Sequence, residues 1–215
     1  MQPIEALQSL SANPVRFLKK YPVRIFGSIA QSGVIAFGMG NRGQSHRPGK
    51  ILKTKRWHQT ESFNIGTMQY IKARTGNAHN FLAHSIHMDV GQANLNFYTL
   101  PAIAGPSIMV TGQLSGCSFV ISPIDYSQDV NVAHIQPAGV NGVNLRNNLV
   151  ALHPHATVFG PSNQKGNYLT ANNRVASMIG IRTAGRWNFY SQKQQRGGDY
   201  RVLSVWRQYP NRCKV

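Results

Sequence analysis

Short apolar runs, bounded by glycine, proline or other turn-forming residues, recur along almost the whole chain and limit the folds open to it. Segments such as 22–30 and 33–40 contain few residues between breaks and carry β-branched side chains, which is typical of strands. No run approaches the length of a membrane-spanning helix. Because 41% of the 215 residues are hydrophobic, the chain can bury a core. We therefore expect one β-rich domain over residues 1–215.

A few helices are predicted among these strands. Residues 3–20 are expected to be helical, with a break or a second start at Pro14, and residues 142–153 form the clearest internal helix. Residues 78–90 fit either a helix or an extended segment. Further strands are predicted at 49–57, 65–73, 94–100, 106–112, 117–122, 130–137, 175–183, 187–192 and 200–206.

Positive charge is concentrated towards the two ends of the sequence. The chain has 23 Lys and Arg against 6 Asp and Glu, a formal net charge of +17, yet residues 75–145 contain no Lys or Arg. We call the densest group the basic cluster: Arg42, Arg47, Lys50, Lys53, Lys55 and Arg56. This cluster is expected either to be solvated or to bind nucleic acid or an acidic protein surface. Because the chain has only six acidic residues, a catalytic mechanism that needs a pair of carboxylates is disfavoured.

Residues 38–43 contain three glycines at the spacing of a dinucleotide-binding loop. Such a loop must lead straight into a helix, because the helix N-terminus binds the pyrophosphate. Pro48 and Gly49 would stop that helix in its first turn. A glycine-rich hairpin turn followed by a basic strand is therefore favoured over a nucleotide site.

Several histidines could ligate a metal: His79, His84 and His87 beside Asp89, and later His153 and His155. Their spacing matches no firm zinc pattern, and no cysteine is interleaved with them. Histidines in a core or near the surface are the default interpretation. We therefore predict no metal and no other cofactor.

Cys117, one of two cysteines with Cys213, has the local setting of a nucleophile. Gly116 lets a substrate amide approach the backbone, and Ser115 can hold the turn through local hydrogen bonds. His134 follows 17 residues later, on a predicted neighbouring strand. There it is expected to lower the pKa of the thiol and supply a thiolate. The alternative is an inert buried cysteine beside a core histidine.

The run Leu-Ser-Gly-Cys at 114–117, followed by a strand and then a histidine on the next strand, resembles the bacterial toxin glutamine deamidases. These include the cytotoxic necrotizing factors and enzymes of the Burkholderia lethal factor type. The latter are more similar, because Thr111 stands six residues before the cysteine and Ile135 follows the histidine. The interval from cysteine to histidine is longer here than in that family, which implies an expanded loop at 122–129.

The resemblance implies an α/β fold, a sandwich of mixed β-sheets surrounded by helices. It also implies that Cys117 attacks a glutamine side chain of a host protein, that His134 is the acid and base, and that Thr111 orients His134. The implied target is the DEAD-box RNA helicase of translation initiation, with loss of protein synthesis, or a Rho-family GTPase. The chain would then be a secreted or injected bacterial effector acting in the host cytoplasm; residues 1–14 show no evident Sec-type signal peptide.

Two other functions remain open at this stage. A basic nucleic-acid-binding protein would use the basic cluster and the C-terminal arginines to contact phosphates. A cysteine protease or acyltransferase would use the same cysteine and histidine on a different substrate.

Overall fold

The computed structural model describes residues 1–26, 31–45, 60–91, 95–168, 174–195 and 201–215. Within them the helices are α1 (Pro3–Ala12), α2 (Pro14–Lys20), α3 (Met68–Thr75) and α4 (Gly142–Leu152). The strands are β1 (Val23–Ile25), β2 (Gly33–Ser45), β3 (Thr60–Gly66), β4 (His79–Ile86), β5 (Met88–Val90), β6 (Tyr98–Leu100), β7 (Ile108–Thr111), β8 (Ser118–Pro123), β9 (Val130–Gln136), β10 (Thr157–Phe159), β11 (Arg174–Thr183), β12 (Arg186–Gln195), β13 (Arg201–Tyr209) and β14 (Cys213–Lys214).

The strands form two mixed sheets. The first has the order β1-β3-β2-β4-β7-β11-β12-β13-β14, with parallel pairs at β1/β3 and β4/β7. The second has the order β10-β8-β9-β5, with β6 also pairing with β9. In it β8 and β9 are antiparallel, whereas β5 and β9 are parallel. The predicted α/β class is therefore confirmed.

The two sheets face each other across one apolar layer. Met109 and Phe189 of the first sheet belong to the same buried cluster as Phe119 and Val132 of the second. Helices α1 and α2 contribute to a second cluster with the first sheet, and α4 contributes to a third with β8, β9 and β10. Burying apolar surface between these layers is the main stabilising contribution to such a fold. No helix in the described ranges is long and apolar enough to cross a membrane.

The predicted break in the first helical segment is confirmed, because α1 ends at Ala12 and α2 begins at Pro14. The Asn13 side chain between them accepts a hydrogen bond from the backbone N–H of Arg16 at 3.0 Å, which caps α2. The helix predicted at 142–153 is also confirmed as α4, capped by Asn141. Residues 79–86 and 88–90 are extended, which settles the ambiguous segment at 78–90.

The strand predicted at 65–73 is wrong beyond Gly66. Met68–Thr75 is a helix that ends at Gly76, whose positive φ of 68° suits a helix C-terminus. The apolar residues Met68 and Ile71 are three apart and so share one face of a helix, although the same segment also fits an alternating pattern. Of the strand predicted at 94–100, the structure contains Tyr98–Leu100. The predicted strand at 49–57 and all of the basic cluster except Arg42 lie outside the described residues.

The glycine motif at 38–43 lies inside strand β2, so both the nucleotide loop and the hairpin turn are wrong. Its glycines instead let α3 pack closely on β2. A Cβ on Gly38 would lie 3.1 Å from the Met68 Cα, and one on Gly40 would lie 2.5 Å from Ile71 Cγ2. The missing side chains therefore serve helix–sheet packing.

Gly40→Ala should lower the free energy of unfolding by about 1–3 kcal/mol, because the new Cβ overlaps the buried Ile71. Gly33→Ala in the same strand is the matched control, since a Cβ there meets nothing within 4 Å. Urea unfolding of both variants measures the difference. Equal stability of the two would contradict close packing of α3 on β2.

Candidate active site

A hydrogen bond joins the two sheets at the predicted site. Thr111 is the last residue of β7 in the first sheet, and His134 lies in β9 of the second. Thr111 Oγ1 is 2.6 Å from His134 Nδ1 and 2.9 Å from the carbonyl oxygen of Ile86, at the end of β4. Thr111 and His134 are both fully buried. The structure thus brings together two of the three residues predicted to be catalytic.

The geometry decides the tautomer of His134. A hydroxyl has one hydrogen, and a carbonyl oxygen only accepts, so Thr111 donates to Ile86. Its oxygen must then accept the hydrogen bond from His134 Nδ1–H, which leaves Nε2 as the nitrogen with a free lone pair. Nε2 is buried and has no hydrogen-bond partner in the described part of the chain.

Burial keeps His134 neutral. Burial, with a smaller contribution from the nearby His87, lowers the pKa of His134 to about 3. At neutral pH the imidazole therefore retains the lone pair on Nε2. A buried, neutral, oriented histidine is suited to accept a proton from a nucleophile or a water molecule.

Cys117 lies immediately before β8, where the chain turns into the second sheet. The turn is fixed on one side by Leu114, whose backbone exchanges hydrogen bonds with Ala176 of β11. Gly116 has a φ of 149°, a backbone conformation that favours glycine. A Cβ at this position would meet no described atom within 4 Å, so the cysteine turn is open on the side of Gly116. In the β8/β9 ladder Phe119 is paired with His134, which places the cysteine two residues from the register position of the histidine.

The thiol of Cys117 contacts a methionine. Its Sγ lies 3.5 Å from Met88 Sδ, and Met88 is the residue of β5 paired with His134. The hydrogen bonds among the described residues do not join Cys117 to His134. Met88 is therefore in contact with the thiol and adjacent in the sheet to the histidine of the predicted pair.

Burial raises the pKa of the Cys117 thiol above its ordinary value of 9.0, although the backbone N–H groups of Ser115 and Cys117 itself act in the opposite direction. The expectation that His134 lowers this pKa is wrong for the structure as it stands. The resting site contains a neutral thiol and a neutral imidazole. A thiolate would have to form as the substrate reacts.

Sequence reasoning missed Tyr168, which holds the turn around the cysteine. Its hydroxyl accepts a hydrogen bond from Gly116 N–H at 2.9 Å and donates one to the carbonyl of Cys117 at 2.7 Å. Tyr168 is almost fully buried and packs against Phe159. No local signal marks it, because it lies 51 residues from Cys117. The predicted holding residue, Ser115, has an exposed side chain.

The start of α4 also packs against this turn. A Cβ on Gly142, the first residue of the helix, would lie 3.1 Å from the carbonyl carbon of Gly116. Glycine at this position therefore allows the helix to begin directly against the cysteine loop.

Three of the five histidines considered as metal ligands make other contacts. His84 Nδ1 lies 2.9 Å from the Tyr98 hydroxyl, and His87 lies 3.6 Å from the Asp89 carboxylate. The ring of His153 packs edge-on against Phe97. Across the described part of the chain there is no group of three or more His, Cys, Asp or Glu side chains that could hold a metal ion.

No protein-family model matches the chain, and no curated protein matches it. Among solved structures, the C-terminal domain of CNFy from Yersinia pseudotuberculosis is similar. It shares 12% sequence identity with a TM-score of 0.48, and the comparison covers 100% of both chains. The residues of the site, and not this likeness, therefore carry the functional proposal.

The alkylation rate of Cys117 should rise steadily from pH 6 to pH 9 without a plateau, because burial raises the pKa of the thiol from its ordinary value. Iodoacetamide labelling followed by mass spectrometry, in a Cys213→Ser background, measures this. The same protein with Cys117→Ser is the control for labelling elsewhere. A plateau reached by pH 7 would instead indicate a thiolate paired with a charged His134.

Tyr168→Phe should lower the free energy of unfolding by about 1–3 kcal/mol, because it leaves the Gly116 N–H and the Cys117 carbonyl without their partner. Tyr126→Phe is the matched control, since that side chain is fully exposed. Urea unfolding compares the two. If Tyr168→Phe were as stable as Tyr126→Phe, the two hydrogen bonds would not hold the turn.

Proposed function

We propose that this chain is a Cys–His hydrolase that converts a glutamine side chain of a host protein to glutamate. Cys117 is the nucleophile, His134 the acid and base, and Thr111 the residue that positions His134. The observation that carries the proposal is the hydrogen bond from His134 Nδ1–H to Thr111 Oγ1, because among the described residues it leaves Nε2 of a neutral, buried imidazole without a partner. The Nε2 atoms of His84 and His153 share this feature. His134 differs from them because it is paired in the second sheet with Met88, whose Sδ contacts the Cys117 thiol.

In the first half of the reaction, Cys117 Sγ attacks the carboxamide carbon while its proton passes to His134 Nε2. The tetrahedral intermediate collapses as the C–N bond breaks, and the imidazolium gives its proton to the leaving nitrogen, which departs as ammonia. The product is a thioester on Cys117. In the second half, Nε2 takes a proton from water, the hydroxide attacks the thioester, and the thiol leaves with that proton. The glutamine has become a glutamate, and no cofactor is consumed.

Met88 has to move before the first step, because its Sδ now contacts the nucleophile. Methionine is suited to this, since its unbranched side chain has three rotatable bonds. Met88 is 36% exposed, so its side chain can turn towards solvent. When the substrate amide enters, the Cys117 thiol can lose its contact with Met88 and contact His134 Nε2 instead.

The backbone N–H groups of Ser115 and Cys117 are the proposed oxyanion donors. They are the two groups that favour negative charge on Sγ. The N–H of Gly116 is excluded, because the Tyr168 hydroxyl already accepts its hydrogen bond. Loss of one such donor typically costs on the order of 100-fold in rate.

The proposed substrate is the DEAD-box RNA helicase of translation initiation, whose deamidation would stop protein synthesis. This rests on the resemblance carried by Thr111, Cys117 and His134 with Ile135. A Rho-family GTPase is the second candidate target. The effector would act in the host cytoplasm.

Incubation of the purified helicase with the wild-type chain should add the mass of one amide-to-acid conversion, read by intact-mass spectrometry and located by peptide mapping. Cys117→Ser should abolish the shift and the toxicity to cells while remaining folded by circular dichroism. Thr111→Val should slow the reaction on the order of 100-fold, because His134 loses the partner that fixes its tautomer. Thr111→Ser keeps the hydroxyl and is the matched control.

Other results of these experiments would indicate a different activity. Fragments of the target would indicate a protease, and acyl transfer would add a different mass. Toxicity that survives Cys117→Ser would exclude Cys–His catalysis. No mass change in either candidate target, followed by no new glutamate in the proteome of exposed cells, would overturn the deamidase proposal.

A further inference from the structure

A second concave site lies away from the paired Thr111 and His134. A pocket of about 400 Å³ is lined by the segment 162–168 and by residues of β11, β12, β13 and β14. Tyr168 lines it and is also the residue that holds the cysteine turn. Pockets of this size commonly bind small molecules.

Cationic side chains converge on this pocket: Lys165, Arg174, Lys193 and Lys214. None of its described lining residues is acidic. Within the described ranges, the ion pairs join the N-terminal amine to Glu61 and His87 to Asp89, so no carboxylate there neutralises the four cations. Like charges held close together repel, and each is stabilised by a bound anion.

Lys193 is the centre of this charge. Burial, followed by the charges of Arg212, Arg174 and Lys214, lowers the pKa of Lys193 to about 8. Its ammonium lies 5.4 Å from the ring centroid of Trp206, which lines the same pocket. A positive group surrounded by other positive groups in a cleft is a feature of ligand sites.

Two donors in the pocket wall have no acceptor among the described residues. Asn167 is 2% exposed and lines the pocket, and no described group accepts a hydrogen bond from its Nδ2. Arg174 Nε is likewise buried without a described acceptor. Buried donors normally find a partner in the protein or in a ligand. An anion in the pocket would supply the missing acceptors.

We propose that this pocket binds a small phosphorylated ligand with at least two negative charges. A phosphate offers several acceptor oxygens to Arg174 and to the lysine ammonium groups, and these are the side chains that recognise phosphate. Trp206 provides an apolar wall for the organic part of such a ligand. A pocket of about 400 Å³ suits a small molecule better than a nucleic-acid strand, which needs an extended basic groove.

Titration calorimetry with pyrophosphate on the full chain, at constant ionic strength, tests the proposal. The wild type should bind one equivalent, and pyrophosphate should raise its Tm. Lys193→Gln should weaken binding about tenfold or more, because one charge-assisted hydrogen bond is lost. Lys193→Arg keeps the charge and should bind within a few-fold of the wild type. Lys72→Gln, at an exposed position on α3, removes a charge elsewhere and is the matched control.

The folded state of the key variant can be checked directly. Without pyrophosphate, Lys193→Gln should unfold at a Tm at or above that of the wild type, because it removes repulsion among the cations of the pocket. Cys117→Ser should bind pyrophosphate as the wild type does. Failure of the deamidase proposal and failure of this one are therefore seen in different measurements.

Three results would overturn the proposal. The first is no saturable binding of pyrophosphate by the wild type at millimolar concentration. The second is equal weakening by Lys193→Gln and Lys72→Gln, which would mean that only net charge matters. The third is Lys193-dependent binding of a single-stranded oligonucleotide of about ten nucleotides without binding of pyrophosphate, which would indicate a polyanion-binding surface.

Discussion

The candidate site depends on one hydroxyl group that lies between two sheets. Thr111 Oγ1 gives its only hydrogen to the Ile86 carbonyl of the first sheet and accepts from His134 Nδ1 of the second. This bond orients the imidazole and at the same time links the two halves of the sandwich. Since both residues are fully buried, water cannot replace either partner. The tautomer of the histidine is therefore a consequence of how the sheets pack.

The distribution of charge along the sequence fits this buried, neutral site. Residues 75–145 contain no Lys or Arg and supply Thr111, Cys117 and His134. Burial therefore dominates the pKa of both Cys117 and His134, and each stays uncharged. The net charge of +17 is carried by the remaining sequence. Part of it lies at the pocket around Lys193, so the chain separates a neutral candidate active site from a cationic pocket.

Much of the fold was predictable from local patterns. The strands around Thr111, Cys117 and His134 were predicted because their apolar runs are short, β-branched and bounded by turn residues. Two errors have a shared cause. Residues 65–73 were predicted as a strand, and the glycines at 38–43 as a turn, because the packing of helix α3 on β2 is not visible in either segment alone. The catalytic roles of the three residues stay predictions until the reaction is measured.

The sequence by itself indicated a β-rich domain with a few helices, the helix break at Pro14 and the candidates Cys117 and His134, because these depend on residue type and short spacing. The α/β class and the choice of Thr111 came from the resemblance of residues 111–135 to the toxin deamidases. Only the tertiary structure decided how those residues are used. The contact of Met88 with the thiol, the bonds from Tyr168 to the cysteine turn and the pocket around Lys193 join residues far apart in the chain. Such contacts arise when the sheets pack, and burial then sets the pKa values that short spacing alone does not specify.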